Sequence, residues 1–241
     1  MHGKLLTQRE PLGVPHRGIA LAHPSNPVVF LDIECPRSAA GGEGGGAPQR
    51  ILLELFADLA PTLASNMYAL CVGSSTRVVE QRLQPAGYKG TVLHDALVGQ
   101  YVIGGDVMGG GGSGFFSALG ERQGPLPVPP SELEALAATA PDRCRHTQGV
   151  YMQYWNHVPG APAAATTLKV ASSFRLDTVE RGADATMPTD AILIGRMVHR
   201  DAAAHTVAKR QLLELTKAVF HAKRGTTVPR LLPTIVLCGE M

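Results

Sequence analysis

Residues 54 to 66, ELFADLAPTLASN, lie where a predicted strand is followed by a predicted helix. The apolar run that ends in this stretch, 51–58, is typical of a strand. Pro61 suits the first turn of a helix, where its missing N–H costs nothing, and Gly73 suits the position just past the end. Between them, apolar residues recur at helical spacing at Leu63, Met67 and Leu70. The stretch therefore predicts a strand followed by an amphipathic helix.

Strand-like runs continue on both sides of this stretch, at 27–33, 92–98, 149–155, 168–176, 191–198 and 231–241. A long amphipathic helix is predicted from Asp201 to Lys223, with an apolar stripe formed by Val207, Leu212, Leu215 and Val219. A short helix follows the loop PLPVPP, 125–130, with Ser131 as its predicted N-cap. Many short strands and helices far apart in sequence predict a closed antiparallel barrel with helices over its ends.

The composition is that of a packed globular chain with no strong charge. The 241 residues are 44% hydrophobic and 17% charged, and the net charge is +2. This charge gives no strong attraction to nucleic acid, so no direct nucleic-acid partner is expected. No apolar run is long enough to span a bilayer, so no membrane insertion is expected. The cysteines form no C-x-x-C pair, and neither a metal site nor any cofactor is expected: Cys35, Cys71, Cys144 and Cys238.

Several segments resemble cyclophilins in their residues and in their order along the chain. They are NPVVFLDI at 26–33, LELFADLAPTLASNMYAL at 53–70, GYKG at 87–90, LH at 93–94, GGD at 104–106, GSGFFSALGE at 112–121, HTQG at 146–149 and IVLCGEM at 235–241. The resemblance implies a closed antiparallel eight-stranded β-barrel capped by two helices. It divides the chain into an N-terminal extension, 1–25, and a cyclophilin-like domain, 26–241, with insertions at 38–48, 74–86 and 134–145.

The resemblance also implies an altered catalytic centre. Cyclophilins accelerate cis/trans isomerisation of Xaa-Pro bonds, whose barrier of roughly 18–20 kcal/mol comes from amide resonance. In their motif F-H-R-I-I-P-G-F-M, the arginine donates a hydrogen bond to the prolyl nitrogen. Here the corresponding stretch runs from Leu93 to Tyr101, so His94 is kept and the arginine position is Asp95. An ionised aspartate only accepts hydrogen bonds, so the role of this position is reversed.

The proline pocket implied by the resemblance is altered as well. The family's pocket phenylalanine and methionine correspond to Gln100 and Tyr101, and the glutamine two positions on corresponds to Ile103. Its M-A-N stretch falls on Gln153, Tyr154 and Trp155, and the second phenylalanine of S-Q-F-F-I falls on Arg175, in a register open by one residue. The glycine-rich loop keeps Gly112, Ser113 and Gly114. We expect an ion pair between Arg175 and Asp95 across the cleft, and no cyclosporin binding.

These residues predict a cyclophilin-fold pseudoenzyme that acts as a protein-interaction or structural subunit of a larger assembly. Two alternatives stay open, which are a slow peptidyl-prolyl isomerase and a non-catalytic binder of proline-containing segments such as the PLPVPP loop of this chain. A cytoplasmic location is expected, within a cytoskeletal or other large assembly. A mitochondrial location is the alternative, because Lys4, Arg9 and Arg17 outnumber Glu10 in the N-terminal extension.

Overall fold

The computed structural model describes residues 18–35, 47–79, 82–155, 168–182, 186–224 and 231–241. Most of the predicted N-terminal extension, and all but the end of the predicted insertion at 38–48, therefore lie outside the described residues. The helices are α1 (Pro61–Val72), α2 (Pro130–Arg143) and α3 (Ala202–Arg224). The strands are β1 (Val28–Glu34), β2 (Gln49–Leu55), β3 (Ser75–Val79), β4 (Arg82–Ala86), β5 (Leu93–Leu97), β6 (Tyr101–Gly104), β7 (Leu126–Pro127), β8 (Gly149–Tyr154), β9 (Lys169–Asp177), β10 (Ala191–Met197) and β11 (Thr234–Glu240).

Eight antiparallel strands form one continuous sheet in the order β11, β1, β2, β10, β8, β9, β6, β5. The sheet curls into a half-barrel, and its two end strands meet only over a short seam. At this seam, Leu93 N–H donates to the Pro233 carbonyl at 2.8 Å and Ile235 N–H donates to the Thr91 carbonyl at 2.9 Å. An isolated bridge joins Val92 to Thr234, with no ladder between β5 and β11. The predicted antiparallel barrel is confirmed, whereas its full closure was overstated.

Helix α1 packs on the sheet as its sequence predicts. Leu63, Met67 and Leu70 are fully buried, and Gly73 adopts the left-handed conformation that ends the helix (φ 67°). The first-turn N–H groups of Thr62 and Leu63 donate to the Glu132 carboxylate of α2, at 2.8 and 3.1 Å. Helix α2 thus satisfies donors that the start of α1 cannot pair within itself.

Three details of the predicted helices were wrong. The helix predicted to be short, α2, has 14 residues. It begins at Pro130 after Pro129, so Ser131 lies within the first turn and is not the N-cap. In α3 the buried stripe contains Ala208 with Leu212, Leu215 and Val219, while Val207 is 42% exposed. Ala208 fits because it lies one turn before Leu212 on the same face.

The predicted insertion at 74–86 forms a hairpin, β3–β4, that stands outside the barrel sheet. Arg77 Nη1 donates to the Val107 carbonyl, and Gln123 Nε2 donates to the Thr76 carbonyl. These bonds fix the hairpin against the glycine-rich loop. The PLPVPP loop contributes β7, which pairs with Lys169 and Val170 at the start of β9. The suggestion that this loop occupies the proline site is therefore wrong for this structure, because that site lies near the other end of β9.

Candidate functional site on the outer face of the barrel

The residue at the arginine position of cyclophilins lies in a row that crosses four strands. Asp95 of β5 is opposite Ile103 of β6, Ile103 is opposite Arg175 of β9, and Arg175 is opposite Tyr151 of β8. We call these four residues the central row. Directly opposite residues share one face of a sheet, and the adjoining residues on three of these strands, Val102, Phe174 and Met152, are fully buried. The central row therefore lies on the outer face of the barrel.

Asp95 is neutralised by helix α3. Lys223 Nζ lies 2.6 Å from Asp95 Oδ1, and both side chains keep almost half of their exposure. The same carboxylate oxygen accepts the N–H of Ala96 at 2.9 Å. The expected pair between Asp95 and Arg175 is therefore wrong, because each of them has a different partner.

Arg175 is held by a carboxylate two residues further along its own strand. Its Nε and Nη2 donate to Asp177 Oδ1 at 2.9 and 2.8 Å, and its side chain is 16% exposed. The guanidinium lies over the rings of Tyr101 and Tyr151, at 4.1 and 5.3 Å from their centroids. Arginine and tyrosine side chains thus cover the outer face where the resemblance places the floor of the proline pocket.

Tyr151 completes this polar network. Its hydroxyl donates to Asp177 Oδ2 at 2.7 Å and accepts from Arg181 Nη1 at 2.8 Å. Burial raises the pKa of Tyr151, and the Asp177 carboxylate raises it further, so the hydroxyl remains a donor. Asp177 is 5% exposed and accepts hydrogen bonds from both neighbouring side chains. The network is buried and its polar groups are paired.

The glycine-rich loop is organised around Asp106. This carboxylate accepts N–H groups of the loop from Met108, Gly109, Gly112 and Gly114. Burial acts to raise the pKa of Asp106, but the four backbone bonds outweigh it and lower the pKa. Gly112 lies against the ring of His94, where an added Cβ would come within 2.5 Å of Nε2. Gly112 and Ser113 are exposed, and Gly114 is buried.

His94 packs against this loop. Among the described residues no side chain forms a hydrogen bond with its buried Nδ1, and burial lowers its pKa below the ordinary value for histidine. Within the described residues, no group of three or more histidine, cysteine, aspartate or glutamate side chains has the geometry of a metal site. Nor does any helix in this part of the chain have the length and apolarity to cross a membrane.

The remaining predicted site residues lie in the turn before β6 and at the end of β8. Gln100 is exposed in the turn between β5 and β6. Tyr154 is partly buried against the core, and burial raises its pKa. Gln153 and Trp155 are half-buried, and Gln153 Nε2 and Trp155 Nε1 are inaccessible, with no hydrogen-bond partner in the part of the chain that the structure describes. The structure thus brings Asp95, Tyr101, Ile103 and Arg175 together, whereas Gln153 lies opposite Ala191 of β10.

Sequence reasoning missed the partners that decide the chemistry of this face. Lys223 is 128 residues from Asp95, and no spacing pattern connects them. Asp177 was open to prediction, because residues two apart on a strand share a face and opposite charges there can pair. Arg181 carried no signal that separated it from other polar residues.

Comparisons with known proteins agree with the fold. No protein-family model matches the chain. The chain is 35% identical to peptidyl-prolyl cis-trans isomerase 11 of Caenorhabditis elegans over 103 residues, which is 42% of this chain and 49% of that protein. It is 36% identical to peptidyl-prolyl cis-trans isomerase CYP22 of Arabidopsis thaliana over 101 residues, 42% of this chain and 44% of that protein. The matched region thus spans about half the length of these curated relatives.

A solved structure extends the likeness over most of the chain. The crystal structure of the Mimivirus cyclophilin superposes with a TM-score of 0.53 and covers 90% of this chain and 89% of its own. Sequence identity over this superposition is 16%, so the match concerns the fold alone.

Proposed function

We propose that this chain, which has a cyclophilin-type fold, has lost efficient peptidyl-prolyl isomerase activity and acts as a protein-interaction subunit of a larger assembly. The observation that supports the proposal is the state of the central row. Its charged side chains are bound to partners within the chain, Asp95 to Lys223 and Arg175 to Asp177.

Loss of the donor accounts for a large part of the expected loss in rate. Rotation about an Xaa-Pro bond is helped by a hydrogen bond to the prolyl nitrogen, and Asp95 has no proton to donate when ionised. Removing one preorganised donor typically lowers a rate by about 10² to 10³, or roughly 3–4 kcal/mol. Arg175, which lies on this face, donates its side-chain hydrogen bonds to Asp177. With Asp95 at the arginine position, the motif supplies no hydrogen-bond donor to the expected position of the prolyl nitrogen.

Loss of the pocket removes substrate positioning as well. An apolar pocket orients a proline ring by excluding water and fitting its shape. Here Arg175 lies against Tyr101 and Tyr151, and together they fill the corresponding space. Admitting a proline ring would require breaking the Arg175 to Asp177 bonds in a largely buried setting, which is costly.

One contact favours slow isomerisation as a second candidate. Lys223 Nζ brings a positive charge to within 2.6 Å of Asp95, so an ammonium lies close to the position of the family's arginine. An ammonium on a flexible stem is a poorer substitute for a planar guanidinium, and this one is already paired. This candidate predicts that Lys223→Ala abolishes any residual turnover.

The test is proline exchange in an Ala-Pro peptide, followed by NMR with purified protein and with an active cyclophilin as the reference. We expect no catalysed exchange above the spontaneous rate, and we expect Asp95→Arg alone to leave it absent because Arg175 still fills the pocket. Lys217→Ala is the matched control for Lys223→Ala, since Lys217 pairs with Glu214 on the same helix. Exchange at the rate of the reference enzyme would contradict the proposal. Residual exchange that Lys223→Ala removes and Lys217→Ala keeps would favour the second candidate.

Protein partners and location belong to the same proposal. This chain keeps the buried core of the fold, while side chains at its catalytic positions form ion pairs within the chain. We therefore expect it to act through its surface. We propose a cytoplasmic assembly as its setting. Affinity purification under mild conditions, with the chain as bait, tests this through co-purifying subunits in fixed stoichiometry, and purification as a free monomer would contradict it.

A further inference from the structure

Positive charge is concentrated on helix α3. Five of the 22 lysines and arginines and one of the 20 acidic residues lie in this helix, so it carries a charge of +4 while the rest of the chain carries −2. Its three lysines each pair with a carboxylate of the chain: Lys209 with Glu180, Lys217 with Glu214 and Lys223 with Asp95. Arg210 and Arg224 are exposed and form no ion pair within the described residues. Two cations of α3 are therefore left for a partner.

The spacing of residues on α3 matches that of a helix that packs against a second helix. Arg210, Lys217 and Arg224 are seven residues apart and form one line along the helix, which we call the basic line. Leu213 and Phe220 are also seven apart, form a second line beside it, and are half-buried. The Arg224 guanidinium lies over the Phe220 ring, 4.1 Å from its centroid. Apolar residues in such a seven-residue repeat form the seam between two helices, and charged residues beside them pair with the partner.

The turn between β5 and β6 extends the apolar part of this surface. The Gly99 N–H donates to Thr216 Oγ1 at 3.3 Å, and a Cβ added to Gly99 would lie 3.9 Å from Leu213. The segment after β9 is joined to the same turn, because the Thr178 N–H donates to the Gln100 carbonyl at 2.8 Å. Three exposed aliphatic side chains lie where these segments meet α3: Leu97 (45% exposed), Val98 (38%) and Val179 (49%).

Two ion pairs lie at the ends of this surface. Lys209 Nζ is 3.1 Å from Glu180 Oε1, and Lys223 Nζ is 2.6 Å from Asp95 Oδ1. The two lysines are 14 residues apart, which is about 21 Å along a helix. The surface between them can therefore hold about four turns of a second helix. We call the three aliphatic side chains, Leu213 and Phe220, together with the basic line, the α3 surface.

We propose that the α3 surface is a docking site for an amphipathic helix of a partner protein that carries acidic residues beside its apolar face. This inference rests on the proposed function, because it assigns a surface to the protein interaction. Apolar side chains of the docked helix cover Leu213, Phe220 and the aliphatic side chains of the turn, as in other helix-in-groove complexes. Its carboxylates pair with Arg210 and Arg224, and this complementary charge fixes the orientation of the helix.

The distribution of charge favours a protein segment over a nucleic acid. Binding to a nucleic acid depends on many cations that are free to neutralise phosphates. Here three of the five cations of α3 already pair with carboxylates, and the net charge of the whole chain is only +2. The apolar side chains next to the basic line have no role towards a phosphate backbone, whereas an amphipathic helix uses both parts of the surface.

The probe for this site is an acetylated and amidated 21-residue peptide. It has leucine at the first and fourth positions of three heptads, glutamate on both flanks and alanine elsewhere. One matched peptide has glutamine at every glutamate position, and another has the same composition with its leucines distributed around the helix. In ¹H–¹⁵N spectra of the protein, we expect the amphipathic acidic peptide to move amide signals of α3 and of the β5–β6 turn. The glutamine peptide should bind at least tenfold more weakly, because it cannot pair with the basic line.

Substitutions on the α3 surface assign the binding to its two parts. The double variant Arg210→Gln with Arg224→Gln should weaken binding of the acidic peptide by about tenfold. Arg82→Gln is the matched control, because Arg82 is an exposed cation on the separate hairpin β3–β4, and it should leave the affinity unchanged. Leu97→Ser with Val98→Ser should weaken binding of both the acidic and the glutamine peptide. All of these side chains are exposed, so an unchanged melting temperature should confirm that each variant is folded.

The outcomes distinguish this inference from the proposed function. No movement of α3 signals up to about 1 mM acidic peptide, equal affinity for the glutamine peptide, or unchanged affinity in the double arginine variant would overturn the docking site. Equal affinity for the peptide with distributed leucines, or for a single-stranded oligothymidylate, would also overturn it and would indicate a general anion-binding surface. None of these results depends on whether proline exchange is catalysed, which is what decides the proposed function.

Discussion

Removal of the Asp177 carboxylate is the most informative single perturbation of the outer face. In Asp177→Ala, Arg175 loses the oxygen that accepts both of its side-chain hydrogen bonds, and Tyr151 loses the acceptor of its hydroxyl proton. Removing one member of a buried charged pair costs about 3–5 kcal/mol, because the other member stays desolvated. The Arg175 side chain keeps 16% exposure, so we expect the low end, about 3 kcal/mol. For a chain of this size, that corresponds to a fall in melting temperature of about 6–12 °C.

A second substitution should reverse much of this loss. Replacing a buried ion pair by apolar side chains is often neutral, so Arg175→Leu combined with Asp177→Ala should be more stable than Asp177→Ala alone. Tyr151 would still have Arg181 as a partner in the double variant. Urea unfolding followed by circular dichroism, on wild type, both single variants and the double variant, gives the coupling energy of the pair.

The control is an ion pair at the surface. Arg145 and Asp142 pair at 2.8 Å with side chains that are 55% and 70% exposed, so Asp142→Ala should cost less than about 1 kcal/mol. Two outcomes would show that Arg175 and Asp177 do not act as a coupled pair. One is that Asp177→Ala is no more destabilising than Asp142→Ala; the other is that the destabilisation of the double variant equals the sum for Arg175→Leu and Asp177→Ala. The idea that this pair keeps the pocket filled would then fail.

Three further substitutions test other parts of the site. Asp106→Asn should make the melting temperature less sensitive to acid. Because the pKa of Asp106 is lowered in the folded state, its carboxylate contributes stability above about pH 3.9, and this contribution is lost as the pH falls through the folded-state pKa. Gly105→Ala should lower the free energy of unfolding in urea by about 2 kcal/mol, because the φ of Gly105 is 80° and the new Cβ would lie 2.5 Å from Phe174. Gly111→Ala is the control: its Cβ would meet nothing within 4 Å, so it should be close to neutral. Lys223→Ala should destabilise by less than about 1 kcal/mol, and equal losses in dilute buffer and in about 1 M NaCl would contradict a screened surface ion pair.

The strands and the two main helices could be predicted from sequence because their signals are local. The spacing of Leu63, Met67 and Leu70 fixes the buried face of α1 without reference to any other element. Helix α3 was also located correctly, but one of the four residues assigned to its stripe was wrong. Hydrophobicity favoured Val207 as the larger apolar side chain, whereas helical spacing places Ala208, one turn before Leu212, on the buried face. The start of α2 was misplaced because two prolines outweigh the capping preference of a serine.

The chemistry of the outer face could not be predicted in the same way, since it depends on distant pairs. Resemblance located Asp95 and Arg175 at the altered positions, and charge alone suggested that they pair. Geometry gives Arg175 a nearer carboxylate on its own strand and gives Asp95 a lysine from the last turn of α3. Which oppositely charged groups meet is set by strand register and helix length, and these are properties of the folded chain.

The short seam between β5 and β11 has a consequence for how the molecule opens. Local opening of the sheet should begin at this seam, because only a few hydrogen bonds have to break there. The amide protons of Leu93 and Ile235 should therefore exchange with solvent sooner than those in the middle of β8 and β9, which are paired on both sides. Opening there would free one edge of β11, which stays paired with β1, and leave the network around Asp177 closed. A partner that bound the freed edge of β5 would thus hold the sheet open at the seam without disturbing β8 and β9.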